Sequence, residues 1–337
     1  MNALEPAADA AALDALLDTL RESAVRDLAW LLFSPHLLRA QPPRGELATV
    51  FETADEAAAT SAWLHELERD VAPLHEAIAV LRVVRLGRYA ECLLAHFLRY
   101  GPAVRLVAAN VALRRAGRTL GECDFLVETA SGRRLHWELA VKCYLHVGSA
   151  QATLADYVGP NLQDRFDLKL AHLLDHQLPL SARDEFATLG HVGPWDAQML
   201  VKGWLFYRWD PVRNGLTAAP AETTEVDIAG PIDPAHARGF WTTHEQWPRL
   251  AAAHPACRWV VLPRLAWLAP RRDVEAGSAD EAMLGDVATL AERLTQQASP
   301  TMVAGFVNEG GGRWCERLRG FVVPDAWPAQ AQAFAAG

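Results

Sequence analysis

Residues 121–143, GECDFLVETASGRRLHWELAVKC, alternate apolar and polar side chains on both sides of a glycine-containing turn, a pattern that a β-hairpin satisfies and a helix does not. A three-residue loop Ala130-Ser131-Gly132, with Gly132 in the left-handed conformation such loops favour, centres the hairpin on Ser131. Residues equidistant from Ser131 then pair, so Asp124 faces Glu138 with Cβ atoms roughly 4.5–5.5 Å apart. Phe125, Val127, Leu135, Trp137, Leu139 and Val141 share one face, the expected buried one. The other face carries Glu122, Asp124, Glu128, His136, Glu138 and Lys142, with Leu126 and Ala140 as apolar exceptions.

The hairpin sits between helical and mixed segments. Residues 1–80 read as a helical N-terminal part, with Leu13, Leu16, Leu17 and Leu20 at helical spacing and a Thr53/Glu56 capping box opening a later helix. A core follows over 81–210: a helix ending at Gly101-Pro102, strands at 104–113, 121–128 and 133–145, a helix opening at Asn161, which with Asp164 reads as its cap, and a strand at 199–209. The remainder, 211–337, is a mixed C-terminal part with a strand at 258–268, a helix near 280–297 and a hairpin around Gly310-Gly311-Gly312. Most of the twelve tryptophans lie after residue 190 and are expected to staple this part rather than to stack on bases.

Composition excludes several classes. No apolar run reaches the roughly 18 residues of a membrane span, and the acidic N-terminus lacks the basic start of a signal peptide, so a cytoplasmic protein is expected. Five cysteines without a C-x-x-C pair fit buried, reduced thiols better than disulfides or a zinc site. A net charge of -9 argues against a protein that coats nucleic acid nonspecifically; basic clusters at 82–88, 114–118 and Arg133-Arg134 leave room for local contact.

Two carboxylates facing each other can hold one divalent cation, and Mg2+ takes one or two carboxylates while keeping several waters. Such an ion offsets charge on a phosphodiester and activates water, and a lysine beside it can position that water or stabilise the developing charge. Asp124, Glu138 and Lys142 suit these roles, with Glu122 and His136 as further members of the face. Equally, mixed charges on one face of a half-buried hairpin can be a solvated surface and nothing more.

The segments DLAWLLFSP, RTLGECDFLV, HWELAVKCYL, GPNLQDRFDLKLAHLLDHQL, VLPRLAWL and GFVVPDAWP resemble the bacterial family catalogued as domain of unknown function 1853, thought to belong to the PD-(D/E)XK nuclease-like superfamily. The resemblance implies an α/β fold with a restriction-endonuclease-like αβββαβ core, extended by the helical N-terminal part and a mixed α/β C-terminal extension. It further implies Glu91 as the helix acid, Asp124 and Glu138 as metal ligands, Mg2+ (or Mn2+) as cofactor, and DNA or RNA as partner. The lysine of the E-x-K pattern is replaced by Ala140, and Lys142 lies one step further on the same face. Glu91 has two readings, proximity to a metal or a salt bridge to Arg88 or Arg115. On the second helix Arg165, Lys169, His172 and His176 form a stripe opposite Leu168, Leu170, Leu173 and Leu174, and the resemblance makes Lys169 and Arg165 candidates for phosphate contact; a solvated face is the alternative. The function expected is a metal-dependent nuclease, with a catalytically silent nuclease-fold protein that binds nucleic acid or a protein partner as the other reading.

Overall fold

Apolar residues at helical spacing and strand alternation build the elements in turn. The computed structural model describes residues 6–80, 84–148, 152–191, 193–209, 230–272, 274–275, 287–310 and 312–337. Five helices come first: α1 (Pro6–Thr19), α2 (Ser23–Phe33), α3 (Ala54–Arg69), α4 (Ala72–Val80) and α5 (Leu86–Tyr100). The expected Thr53 cap is present, its hydroxyl accepting from the Glu56 amide at 3.2 Å, although the Glu56 carboxylate reaches the Glu52 amide instead of that of Thr53. Strands β1 (Val104–Arg115), β2 (Arg118–Thr129), β3 (Arg134–His146) and the short β4 (Tyr157–Val158) precede α6 (Phe166–His172). A π-helical turn (Leu173–Gln177), a 3-10 turn (Leu178–Ala182) and α7 (Asp184–Ala187) then lead to β5 (Asp196–Arg208).

The hairpin has the register its turn dictates. Phe125 pairs with Trp137, Leu126 with His136 and Val127 with Leu135, each pair equidistant from Ser131. Gly132 takes φ +82°, and the Thr129 amide donates to the Arg133 carbonyl to close the loop. The helix expected from Asn161 begins at Phe166. Before it, Leu162 sits at φ +53° and the Asp164 carbonyl accepts from the Gly159 amide, so residues 159–164 form a turn and Asn161 with Asp164 caps no helix.

The chain divides into two compact units, one of Met1–Val141 with Lys169–Lys202, the other of Lys142–Leu168 with Gly203–Gly337. In the first, β1, β2, β3 and β5 lie in that order, and α5 packs against β1 and β2 on one side and against α2 and α4 on the other. The second unit continues with β6 (Ala237–Thr243), α8 (Trp247–Ala253), β7 (Arg258–Val261), β8 (Val274–Glu275), α9 (Val287–Thr295), β9 (Thr301–Asn308), β10 (Arg313–Val323) and α10 (Trp327–Ala336). There β5 runs parallel to β6, β6 parallel to β10, and β10 and β9 form the C-terminal hairpin with β7 antiparallel on β9. The fold is therefore mixed α/β with a large mixed sheet.

The strand expected over 258–268 stops at Val261, because Pro263 has no N–H for a ladder; residues 264–266 form a 3-10 turn instead. Residues 280–286 of the expected helix near 280–297 lie outside the described residues. Trp209, Trp247 and Trp259 are buried in one cluster with Phe240, Leu250 and Val322, the stapling role expected of the aromatics. Among the described residues no helix is long and apolar enough to cross a membrane.

Candidate functional site

The middle of the hairpin's polar face is not solvated. His136 and Glu138 are fully buried and Cys123, Leu126, Leu113, Leu180 and Phe186 form an apolar cluster there, so the middle of the hairpin lies inside on both faces. The cover is the segment after α6. Leu180 lies where a Cβ on Gly121 would come within 2.8–2.9 Å of its methyl carbons, so the glycine at the start of the hairpin makes room for it.

The π-helical turn decides which side chains this cover presents. Lys169 and Gln177 are eight residues apart, which places them off one face of a regular helix; the extra residue in the turn, marked by the Leu178 amide bonding back to the Leu173 carbonyl, restores them to one line. The expected stripe is broken accordingly. His172 and His176 are exposed, Leu168 is exposed rather than part of the apolar side, and Gln177 takes the inward position. Lys169 Nζ donates to Gln177 Oε1 at 2.7 Å, and Gln177 Nε2 donates to Glu138 Oε2 at 2.5 Å.

Around Glu138 the hairpin adds its own contacts. His136 Nε2 lies 2.7 Å from Glu138 Oε1, and His136 Nδ1 is 3.0 Å from Ser181 Oγ of the 3-10 turn. Beyond the Phe125–Trp137 pair, side chains enter the strand bonding: the Asp124 amide donates to Glu138 Oε1 at 3.4 Å, and Asp124 Oδ2 accepts from the Leu139 amide at 2.9 Å. Strict alternation assigns Cys123 to the Phe125 face; instead its sulfur, His136 and Glu138 offer donor atoms within 4.8 Å of one another.

The electrostatics tie these groups together. Burial and the neighbouring Glu138 push the Asp124 carboxyl well above the usual carboxylate range, with Glu91 adding to the rise and Lys169 opposing it. Glu91, on α5, is raised by burial; Arg88 counteracts this, while Glu122 and Glu138 reinforce it. Of the two readings of Glu91 the salt bridge is present, Arg88 donating to it at 2.5 Å, while the charges of Glu122 and Glu138 also act on it. Burial lifts the Cys123 thiol strongly, with Glu138, Asp124 and Glu122 adding to the effect.

Of the residues singled out in the sequence, the first unit brings together Glu91, Asp124, Glu138, His136 and Lys169, with Glu122 exposed at the margin. Lys142 and Arg165 belong to the second unit. Lys142 pairs there with Asp164, and Arg165 forms a two-pronged pair with Asp167 and also donates to the Ala335 carbonyl at 3.2 Å. Gln177, Ser181 and Cys123 were missed. No propensity marks a π-helical turn, and a cysteine one residue from a carboxylate carries no signal until the strand departs from alternation.

A mixed α/β protein with an acidic cluster on a buried hairpin is the class these observations define. Residues 26–323 match the family described as a domain of unknown function, DUF1853, and the chain belongs to that family. No curated protein and no solved structure matches it.

Proposed function

We propose that the chain is a Mg2+- or Mn2+-dependent phosphodiesterase of the PD-(D/E)XK type acting on DNA or RNA, with Asp124 and Glu138 as metal ligands. The observation that carries this reading is the gathering of carboxylates on the hairpin, the Asp124 amide donating to Glu138 and Lys169 reaching Glu138 through Gln177, with the Glu91 charge of α5 acting on Asp124. Burial first and the Glu138 charge second raise the Asp124 carboxyl, and a divalent cation would favour its ionised form and offset that repulsion. Bound there, the ion supplies Lewis acidity and an activated water. Lys169, held by Gln177 beside Glu138, takes the place expected of Lys142 and offers its charge to a phosphate. With the short β4 and α7 counted as insertions, the order α5, β1, β2, β3, α6, β5 is that of an αβββαβ core.

One observation favours a catalytically silent member of this fold: Glu138 is fully buried with both oxygens already engaged, by His136 and Gln177. Metal response separates the two readings. For the phosphodiesterase, Mg2+ or Mn2+ at about 100 times its Kd stabilises the protein by about 2.7 kcal/mol, and Asp124→Asn or Glu138→Gln removes the rise in melting temperature. Cleavage of mixed DNA and RNA substrates then falls with Lys169→Ala and persists in Lys142→Ala. A wild type with no melting response to either ion sinks the reading.

A further inference from the structure

We propose that Cys123, His136 and Glu138 form a zinc-binding site at the floor of the acidic cluster. The idea shares Glu138 with the phosphodiesterase reading but stands on donor chemistry alone.

The three donor atoms lie within 4.8 Å of one another and all three residues are buried. A tetrahedral zinc ion with bonds of about 2.0–2.3 Å spaces its donors roughly 3.3–3.8 Å apart, so a shift of about an ångström closes the set. One sulfur, one imidazole nitrogen and one carboxylate oxygen are zinc ligands, whereas Mg2+ prefers oxygen alone. The surroundings aim each donor. Ser181 holds His136 through Nδ1 and so turns Nε2 inward, while Gln177 holds Glu138 through Oε2 and Oε1 lies 2.7 Å from His136 Nε2, accepting also from the Asp124 amide. His136 and Glu138 alternate by two along one strand, which fixes both on the same face. Three protein ligands leave a fourth position for solvent, the arrangement of zinc sites that act on substrates.

Binding balances in protons and charge. The Cys123 thiol proton passes to solvent as the sulfur–zinc bond forms, and the proton between Nε2 and Oε1 moves to Nδ1, where Ser181 Oγ accepts its hydrogen bond. Thiolate, carboxylate and neutral imidazole then carry two negative charges against the ion's two positive ones, a neutral set suited to a buried place.

Co2+ added to the full-length protein, as a coloured stand-in for zinc, tests this. Expected are a near-ultraviolet thiolate-to-cobalt charge-transfer band, visible bands of four-coordinate intensity, saturation at one ion per chain, and bleaching by Zn2+. Cys123→Ala and His136→Ala lose the charge-transfer band and the four-coordinate bands respectively, and Asp124→Asn keeps both. Ser181→Ala binds about 10- to 100-fold more weakly. Should Cys123→Ala fail to fold by circular dichroism, Cys123→Ser reads the same loss. A wild type without the charge-transfer band, or a band that survives removal of the Cys123 sulfur, overturns the zinc site. If in that case Mg2+ still raises the melting temperature through Asp124, the phosphodiesterase reading stands; a band without any Mg2+ or Mn2+ response leaves zinc and removes that reading.

Discussion

Asp124 carries the clearest consequence at the scale of a single residue. Its carboxyl is pushed up to about 8 by burial and by Glu138, whereas in an unfolded chain it ionises near 4. Between those values the folded state holds a proton that the unfolded state has lost, so the residue's contribution to stability declines as pH rises through the window. In metal-free buffer the melting temperature of Asp124→Asn is therefore expected to exceed that of wild type by a margin that grows from pH 5 to pH 8 and is constant above. A margin that is flat across this range would show that Asp124 is ionised throughout. The register next to this acid cluster was legible from Phe125 to Glu128, because a glycine in a three-residue loop fixes it, whereas at Asp124 and Glu138 side chains replace the ladder bonds. The cluster's burial was not legible. The cover comes from residues 173–187, and nothing in the alternation of 121–143 announces a lid supplied by a later segment.

Among the elements, the π-helical turn and its 3-10 continuation bring Lys169, Gln177, Leu180 and Ser181 onto the hairpin. Replacing Gln177 with Met leaves Glu138 Oε2 without its amide donor inside the protein, a loss expected to cost about 1–3 kcal/mol in urea unfolding. The corresponding change at exposed His176 is expected to be within about 0.5 kcal/mol of wild type. Equal effects at the two positions would mean that the helical phase runs through unbroken. A second element contact joins β5 to α2: Lys202, almost fully buried, donates through Nζ to the Ser34 carbonyl at the C-terminal end of α2, where orphan carbonyls gather partial negative charge. Burial still depresses its ammonium to about 7. Between about 7 and the ordinary lysine value near 10.4 the unfolded chain binds the extra proton, so this residue's contribution to stability rises with pH. Lys202→Met is expected to stabilise the fold by a few kcal/mol at pH 6 and by far less at pH 10, read from chemical unfolding at the two pH values. The antiparallel elements and the helices of the first hundred residues were readable because hairpin turns and helical spacing are local signals. Strand β6 was not, since its parallel pairings with β5 and β10 need no turn beside it and seven residues of ARGFWTT show no clean alternation.

The two units interleave along the chain, so the site draws on stretches from both sides of residues 142–168. Charge is the property that acts over the whole molecule. At -9 the chain repels a polyanion on average, and among the described residues several local cations are already committed: Arg88 to Glu91, Arg105 to Glu128, Arg115 to Glu185, Arg133 to Glu52 and Asp196, and Arg165 to Asp167. A phosphate reaching any of these must displace a carboxylate, which returns most of the electrostatic gain; Lys169 donates to the Gln177 amide oxygen and lies among carboxylates that a divalent ion would neutralise. Any nucleic-acid binding should accordingly release few counterions. For a duplex longer than the site, with Ca2+ in place of Mg2+ or with Mg2+ at a temperature low enough to stop cleavage, the slope of log Kobs against log salt is expected to be shallower than about -3, equivalent to roughly three phosphates or fewer. Lys169→Ala should reduce its magnitude by about 1, and Arg165→Ala should leave it unchanged. A slope near -6 or steeper would require a broad basic surface that the paired arginines do not provide, and would move the contact away from this cluster.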